Sequence, residues 1–186
     1  MKKNPEMTNA TRQTLVDAFC ILAKKNPVEK ITVREIMKRA GYNRSTFYQY
    51  FRDVYDLLDY VEDSLISRVL ENMMINFDAA APESMFMEAF GRLHEEAAEY
   101  YDVIVQDAYF PHFEVRFKKS LLPVMAEKLN LPEDGKSLYL LDFYLSGIVA
   151  VIVRWLRNGR NLPPESIAQM IHSLFKDGIV PQLKKV

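Results

Sequence analysis

The chain is predicted to be all-α: a small helical head carrying a helix-turn-helix, then a larger helical body, about nine helices in all. Three observations carry that expectation. Apolar residues recur at threes and fours along most segments, whereas β-branched alternation is never sustained. Clusters holding Pro, Gly or Asn punctuate these segments at helix-like intervals. With 186 residues, 49% hydrophobic and 26% charged, the composition is that of a folded chain able to form one compact unit or two small ones.

The elements follow in order. MKKNPEM, residues 1–7, is expected to be a mobile arm whose Lys2 and Lys3 reach phosphate. Leu15, Phe19 and Leu22 mark the core face of a first helix from about Thr8 to Lys25, ended by Asn26-Pro27. Thr32 and Glu35 form a T-x-x-E capping box that opens a second helix, with Ile36 and Met37 on its apolar side. Gly41 tolerates the positive φ of a turn, and Asn43 is placed to cap a third helix. Phe47 and Phe51 lie four apart on one face of that helix, leaving Arg44, Tyr48 and small hydroxyls for the other. In a helix-turn-helix that N-terminal end enters the DNA major groove.

Asp53 can cap a long helix bearing Leu57, Leu58, Val61, Leu65, Val69 and Met73 and running to about Asp78. Pro82 opens another, with Phe86, Phe90 and Leu93 on one side. A short helix from about Asp102 to Tyr109 ends at Pro111. The next, from His112 to about Leu129, carries Phe113, Phe117 and Leu121, and Pro123 should kink or divide it. From about Glu133 to Asn158, Leu138, Leu141, Leu145, Ile148, Ile152 and Trp155 line one broad face. Tyr144, Val149 and Val153 extend the apolar surface round the barrel. Gly159 and Pro163-Pro164 mark a break before a final helix, about 164–178, with Ile167, Ile171, Leu174 and Phe175. Two helices that each need burial on several sides predict a homodimer interface through Leu145, Val149, Ile167, Ile171, Leu174 and Phe175.

Several chemistries find no support. A single cysteine, Cys20, cannot form an internal disulfide and reads as a buried structural thiol. No apolar leader follows Met1-Lys2-Lys3, and the stretch Leu138–Val153 is interrupted by Asp142 and short for a bilayer; the expected compartment is the cytoplasm, with no membrane partner. His94, His112 and His172 fall in different predicted helices without metal-ligand spacing, so no metal is expected. P-loop, G-x-G-x-x-G and G-x-S-x-G elements are missing, and the acidic run HEEAAEYYD reads as a solvated helix face; neither a cofactor nor an enzyme activity is expected.

Charge is partitioned. Residues 1–52 hold 11 Lys and Arg against 4 Asp and Glu, a surplus of +7, whereas residues 53–186 hold 13 against 21, or −8. A basic first third and an acidic remainder suit a DNA-facing head on a body that does not adhere to DNA.

Residues 8–60 resemble the N-terminal domain of TetR-type transcriptional regulators, on Ala40-Gly41 followed by Thr46-Phe47-Tyr48-Gln49-Tyr50-Phe51. Val54 stands where that family usually carries a phosphate-touching Lys, and Tyr42 where a small aliphatic residue is common. The run Trp155-Leu156-Arg157-Asn158-Gly159, then Leu162-Pro163, resembles a C-terminal subtype that includes regulators of dihydroxyacetone kinase operons. The resemblance implies an all-helical homodimer whose C-terminal domain binds a small effector and so controls affinity for a palindromic operator in double-stranded DNA. It divides the chain into a DNA-binding domain, 1–52, and an effector-binding and dimerisation domain, 53–186. Arg34 and Arg44 then become base readers, Thr32, Thr46, Tyr48 and Tyr50 position the duplex, and Asn43, Ser45 and Gln49 complete the DNA-binding set. Met85, Phe86, Phe90, Tyr109, Phe113, Phe117, Tyr144 and Arg154 are the candidates for an effector pocket, with Asp142, Glu114 or an acidic ligand as counter-charge to Arg154. The leading reading is a repressor released by an effector not identified from sequence. The alternative is a coactivator that binds a partner enzyme subunit on the same fold.

Overall fold

The structure, a computed structural model, describes residues 5–75, 98–105, 109–132 and 135–178. Among these residues the chain is helical and without strands, as expected. Its helices are α1 (Pro5–Ala23), α2 (Val33–Ala40), α3 (Arg44–Phe47), α4 (Val54–Ile75), α5 (Ala98–Ile104), α6 (Phe110–Lys128), α7 (Gly135–Arg157) and α8 (Pro164–Asp177), with a 3-10 turn at Val28–Lys30. The helix expected after Pro82 lies outside the described residues. Contacts divide the chain into two compact units, Met1–Leu65 with Glu99–Gln106, and Ile66–Ala98 with Asp107–Val186.

In the first unit α1 begins at Pro5, within the stretch expected to be a mobile arm. The helix can start there because the N–H that proline lacks would have no intrahelical partner at the first position. It stops at Ala23, where the Asn26 side chain and N–H both return to the Leu22 carbonyl. Leu15, Val16, Phe19 and Cys20 of α1 are buried with Ile36 and Met37 of α2 and with Phe47 and Phe51. Leu57, Leu58, Val61 and Leu65 bring the start of α4 into the same core. Each such side chain contributes about 1.5–3 kcal/mol on burial. The short α5 lies four residues before its expected place, and it buries Tyr100, Val103 and Ile104. Gln13 of α1 donates to the Tyr100 hydroxyl at 2.9 Å.

In the second unit α6, α7 and α8 pack in sequence, α6 on α7 and α7 on α8. Pro111 lies in the first turn of α6 instead of ending the preceding helix, since proline costs no hydrogen bond there. Pro123 does not divide α6, which continues to Lys128 with the proline on an exposed face. The core holds Phe113, Leu121 and Met125 of α6, Leu141, Leu145, Ile148 and Trp155 of α7, and Ile167 and Ile171 of α8. By length and composition α7 could cross a bilayer, which corrects the expectation drawn from Leu138–Val153 alone: the helix continues to Arg157.

The W-L-x-x-G run forms the stop between α7 and α8. Gly159 takes φ 69° and Arg160 φ 58°, the left-handed region that glycine enters at little cost. The N–H of Arg160 returns to the Trp155 carbonyl at 3.0 Å, and the Trp155 indole N–H donates to the Leu162 carbonyl at 2.8 Å. Trp155 therefore clasps the loop that Pro163 leads into α8. Trp155→Phe keeps a buried ring and removes the donor, so it should cost about 1 kcal/mol. Urea unfolding tests this: the midpoint should fall at unchanged slope, and an unmoved midpoint would show that the clasp does not hold the loop.

Candidate nucleic-acid interface

The head is built from its caps upward. Thr32 is the N-cap of α2, with extended backbone: its hydroxyl accepts from the Glu35 N–H at 3.3 Å, and the Glu35 carboxylate accepts from the Thr32 N–H at 2.9 Å. The same carboxylate accepts from the Thr32 hydroxyl at 2.7 Å. The box is closed as the sequence predicts, and it fixes the start of the helix on which Arg34 stands exposed, one residue before Glu35. Gly41 ends α2 at φ 74°, with its own N–H and that of Tyr42 both reaching the Met37 carbonyl, at 3.0 and 3.2 Å. Tyr42 is exposed, so its bulk is accommodated in solvent and the turn is set by Gly41 alone.

Asn43 occupies the N-cap position of α3, but its side chain makes no cap bond, contrary to expectation. Its carbonyl accepts from the Thr46 N–H at 2.9 Å, the tight i→i+3 pattern of a 3-10 turn. The α-helix ends after Phe47. Gln49 and Tyr50 continue with i→i+3 bonds to Thr46 and Phe47, so residues 48–50 form turns where a longer recognition helix was expected. Phe47 and Phe51 are buried, with ring centroids 5.7 Å apart. Arg44, Ser45, Tyr48 and Gln49 are exposed, while Thr46 and Tyr50 are half-buried.

Arg44 is held by Tyr48, a contact that its i,i+4 spacing permits but that the sequence reading missed. Its Nε and Nη2 donate to the Tyr48 hydroxyl at 3.2 and 2.8 Å, and the guanidinium lies 5.5 Å from the ring centroid. Two of the five guanidinium N–H groups are used there; the others can meet a base edge.

The start of α4 is fixed by two carboxylates. Asp53 Oδ1 accepts from the Tyr55 and Asp56 N–H groups, both at 2.9 Å. Asp56 accepts from the Arg52 N–H at 2.8 Å and from its guanidinium at 2.9 Å. Val54, in place of the family's Lys, is buried. Arg52, one residue before the Asp53 cap, is an exposed cation near that position.

The pocket candidates do not form one group. Met85, Phe86 and Phe90 lie outside the described residues. Phe113 and Phe117 stack at 5.4 Å on α6, with Tyr109 half-buried one turn earlier and Tyr144 half-buried on α7. Arg154 is exposed, at an open groove of about 430 Å³ with Val151, Trp155, Asn158, Asn161, Leu162, Ile167 and Met170. Its expected counter-charges are engaged elsewhere: Lys118 pairs with Glu114 at 3.4 Å and with Asp142 at 3.3 Å.

The residues expected at a dimer interface differ in their burial within the chain. Leu145, Val149, Ile167 and Ile171 are buried within the single chain, Leu174 is half-buried, and the Phe175 side chain lies outside the described set. The apolar surface left over is on the other side of α7, where Tyr139, Leu140 and Phe143 are 80%, 52% and 72% exposed. The broad apolar character of α7 was legible, but which stripe faces inward was not, because the helix is apolar on more than one side.

Residues 15–61 match the model of the tetR family of bacterial regulatory proteins, and residues 81–177 match that of a transcriptional regulator C-terminal region. The fold and this head define a DNA-binding transcriptional regulator. The chain belongs to the TetR family, with a C-terminal part of the subtype seen in DhaS. It is 26% identical over 136 residues to the HTH-type dhaKLM operon transcriptional activator DhaS of Lactococcus lactis subsp. lactis (strain IL1403), a match covering 73% of this chain and 69% of that protein. Among solved structures it resembles the fatty acid degradation regulator FadR from Bacillus halodurans at TM-score 0.74 and 15% identity, over 97% of this chain and 99% of that one. It also resembles FadR from Bacillus subtilis, solved in complex with stearoyl-CoA, at TM-score 0.69 and 17% identity over 90% and 98% of the two chains.

The caps make the head sensitive to acid. Hydrogen bonds from the Thr32 hydroxyl and then its N–H hold the Glu35 carboxyl below the ordinary range; the Arg52 N–H and then its side chain do the same for Asp56. Both folded-state pKa values are depressed, so the stabilisation is present above the ordinary carboxylate pKa and is lost as pH falls through the folded-state value. Thermal unfolding followed by circular dichroism should show stability falling below the ordinary carboxylate range. The double variant Glu35→Gln/Asp56→Asn should flatten that fall, and an unchanged acid limb would mean that neither cap contributes to it.

Proposed function

We propose that this protein is a homodimeric regulator that binds a palindromic operator in double-stranded DNA as a repressor and is released by a small apolar effector. Residues 1–52 serve as the DNA-binding domain and 53–186 as the effector-binding and dimerisation domain. The observation that carries the reading is the head itself: a capped α2, a left-handed turn at Gly41, and Arg44 exposed at the start of α3. Arg34 and Arg44 read bases, while Thr32, Thr46, Tyr48 and Tyr50, with Asn43, Ser45 and Gln49 nearby, position the duplex. The surplus of +7 over residues 1–52 supplies the phosphate attraction.

The mechanism needs no bond making. Two heads on a dimer reach successive major grooves about 34–36 Å apart in one conformation only. An effector that prefers another head spacing lowers DNA affinity by that difference in affinity alone. The stacked Phe113 and Phe117 support an apolar, flat ligand, and stearoyl-CoA in the Bacillus subtilis FadR complex supports effector binding on this fold. Its workplace is the cytoplasm, with the DNA it binds.

A second reading, activation in place of repression, draws on the likeness to DhaS, an operon activator. A reporter driven by the regulated promoter separates them: deleting the gene raises expression under repression and lowers it under activation.

Mobility shift with the DNA upstream of its own reading frame tests operator binding. Arg44→Ala should weaken binding and reduce discrimination by about 1–3 kcal/mol. An unchanged affinity ratio between operator and scrambled DNA would remove Arg44 from the base readers. For the dimer, only 22% of the most apolar window of α7 is buried in the protomer, which leaves surface for a second copy. Phe143→Glu with Leu140→Glu should give a folded monomer by light scattering, whereas Leu145→Asp should unfold the protomer. A double variant that stays dimeric would place the interface elsewhere.

A further inference from the structure

Arg12 of α1 belongs to none of the surfaces described above. Its guanidinium carbon lies 5.7 Å from the centroid of the Tyr50 ring and 5.4 Å from that of the Tyr60 ring. Among the described residues no carboxylate pairs with it. A guanidinium is flat and weakly hydrated, so it can lie against two aromatic faces within about 6 Å and be attracted by both. The three residues come from three elements: α1, the turn that follows α3, and α4.

The position of Tyr50 makes this contact matter. α3 is a single turn, and beyond Phe47 the chain is held by two i→i+3 bonds and one i→i+4 bond, from the Phe51 N–H to the Phe47 carbonyl at 3.0 Å, too short a run to fix a helix axis on its own. The direction of residues 48–51 therefore depends on what their side chains touch. Phe51 lies against Tyr60 at 5.6 Å, and Arg12 adds the link from Tyr60 to Tyr50.

We propose that Arg12 is a positioning residue for DNA recognition: it clamps Tyr50 to Tyr60 and so fixes the recognition segment against α4, without itself touching the duplex. This rests on the DNA-binding reading above.

Operator affinity measured across a salt series tests it. Arg12→Gln should bind about tenfold more weakly, with the slope of log affinity against log salt unchanged, because no phosphate contact is lost. Arg12→Lys, which keeps the charge but not the flat face, should also lose affinity several-fold. Tyr60→Leu should reproduce the loss and Tyr60→Phe should not, since the ring face is what counts. The double variant Arg12→Gln/Tyr60→Leu should be no weaker than either single one, the sign of a shared interaction. Circular dichroism melts check that each variant keeps its head folded.

Wild-type affinity in Arg12→Lys, or a slope reduced by about one in Arg12→Gln with Tyr60→Leu binding normally, would overturn the proposal: the first leaves only the charge, the second a direct phosphate contact. If the wild-type chain binds no operator at all, the DNA-binding reading fails instead.

Discussion

The interface depends on a single turn of helix that cannot hold its own shape. Four residues, Arg44–Phe47, make the α-helical part of the recognition segment, and helix formation in isolation needs far more to overcome its nucleation cost. What fixes the segment is burial of Phe47 and Phe51. Their rings continue outward to Tyr48 at 5.6 Å from Phe47 and inward to Tyr60 at 5.6 Å from Phe51. An exposed guanidinium at one end and a core helix at the other are thus joined through packed rings. The residues proposed to face DNA can remain polar and exposed because the rigidity comes from the buried rings.

The caps serve the same need by a different route. A helix leaves its first N–H groups without intrahelical partners, and the head supplies them locally, through Thr32 with Glu35 at α2 and Asp53 with Asp56 at α4. These bonds define where each helix begins, and so where Arg34 and Arg52 project. They also put carboxylates into a region whose net charge is strongly positive. Glu35 and Asp56 are engaged with neighbours within four residues in sequence, which leaves the surrounding cations to set the outward field.

The second unit meets a different constraint. α7 is apolar on more than one side, and among the described residues α6 and α8 cover only one of them. The residues at its centre, Leu145 and Ile148, are held by that packing; Leu140 and Phe143 are left outside it. An apolar stripe of that length is tolerated in a folded chain when another surface covers it, and that requirement is the basis of the dimer proposed above.

The sequence by itself determined the helical class, the capping box, the left-handed Gly41, the Asp53 cap and the W-L-x-x-G stop. Each of these is a local matter: its bonds span at most seven residues, as in Trp155 to Leu162, so residue types at fixed spacing decide it. The start and stop of α2 were readable for that reason, at Thr32 and Gly41, whereas the Asn43 cap and the length of α3 were not. Only the tertiary structure decided which stripe of α7 turns inward, because both are apolar and the choice rests on the shapes of α6 and α8. It also decided that Lys118 takes Glu114 and Asp142, leaving Arg154 at a separate groove. Glu62 belongs to the same class: a carboxylate in α4, absent from the apolar residues read along that helix, is fully buried. Arg12, Tyr50 and Tyr60, up to 48 positions apart, meet for a reason no spacing could reveal. Their faces are brought together by the core beneath them, and a contact between distant residues exists only once that core has formed.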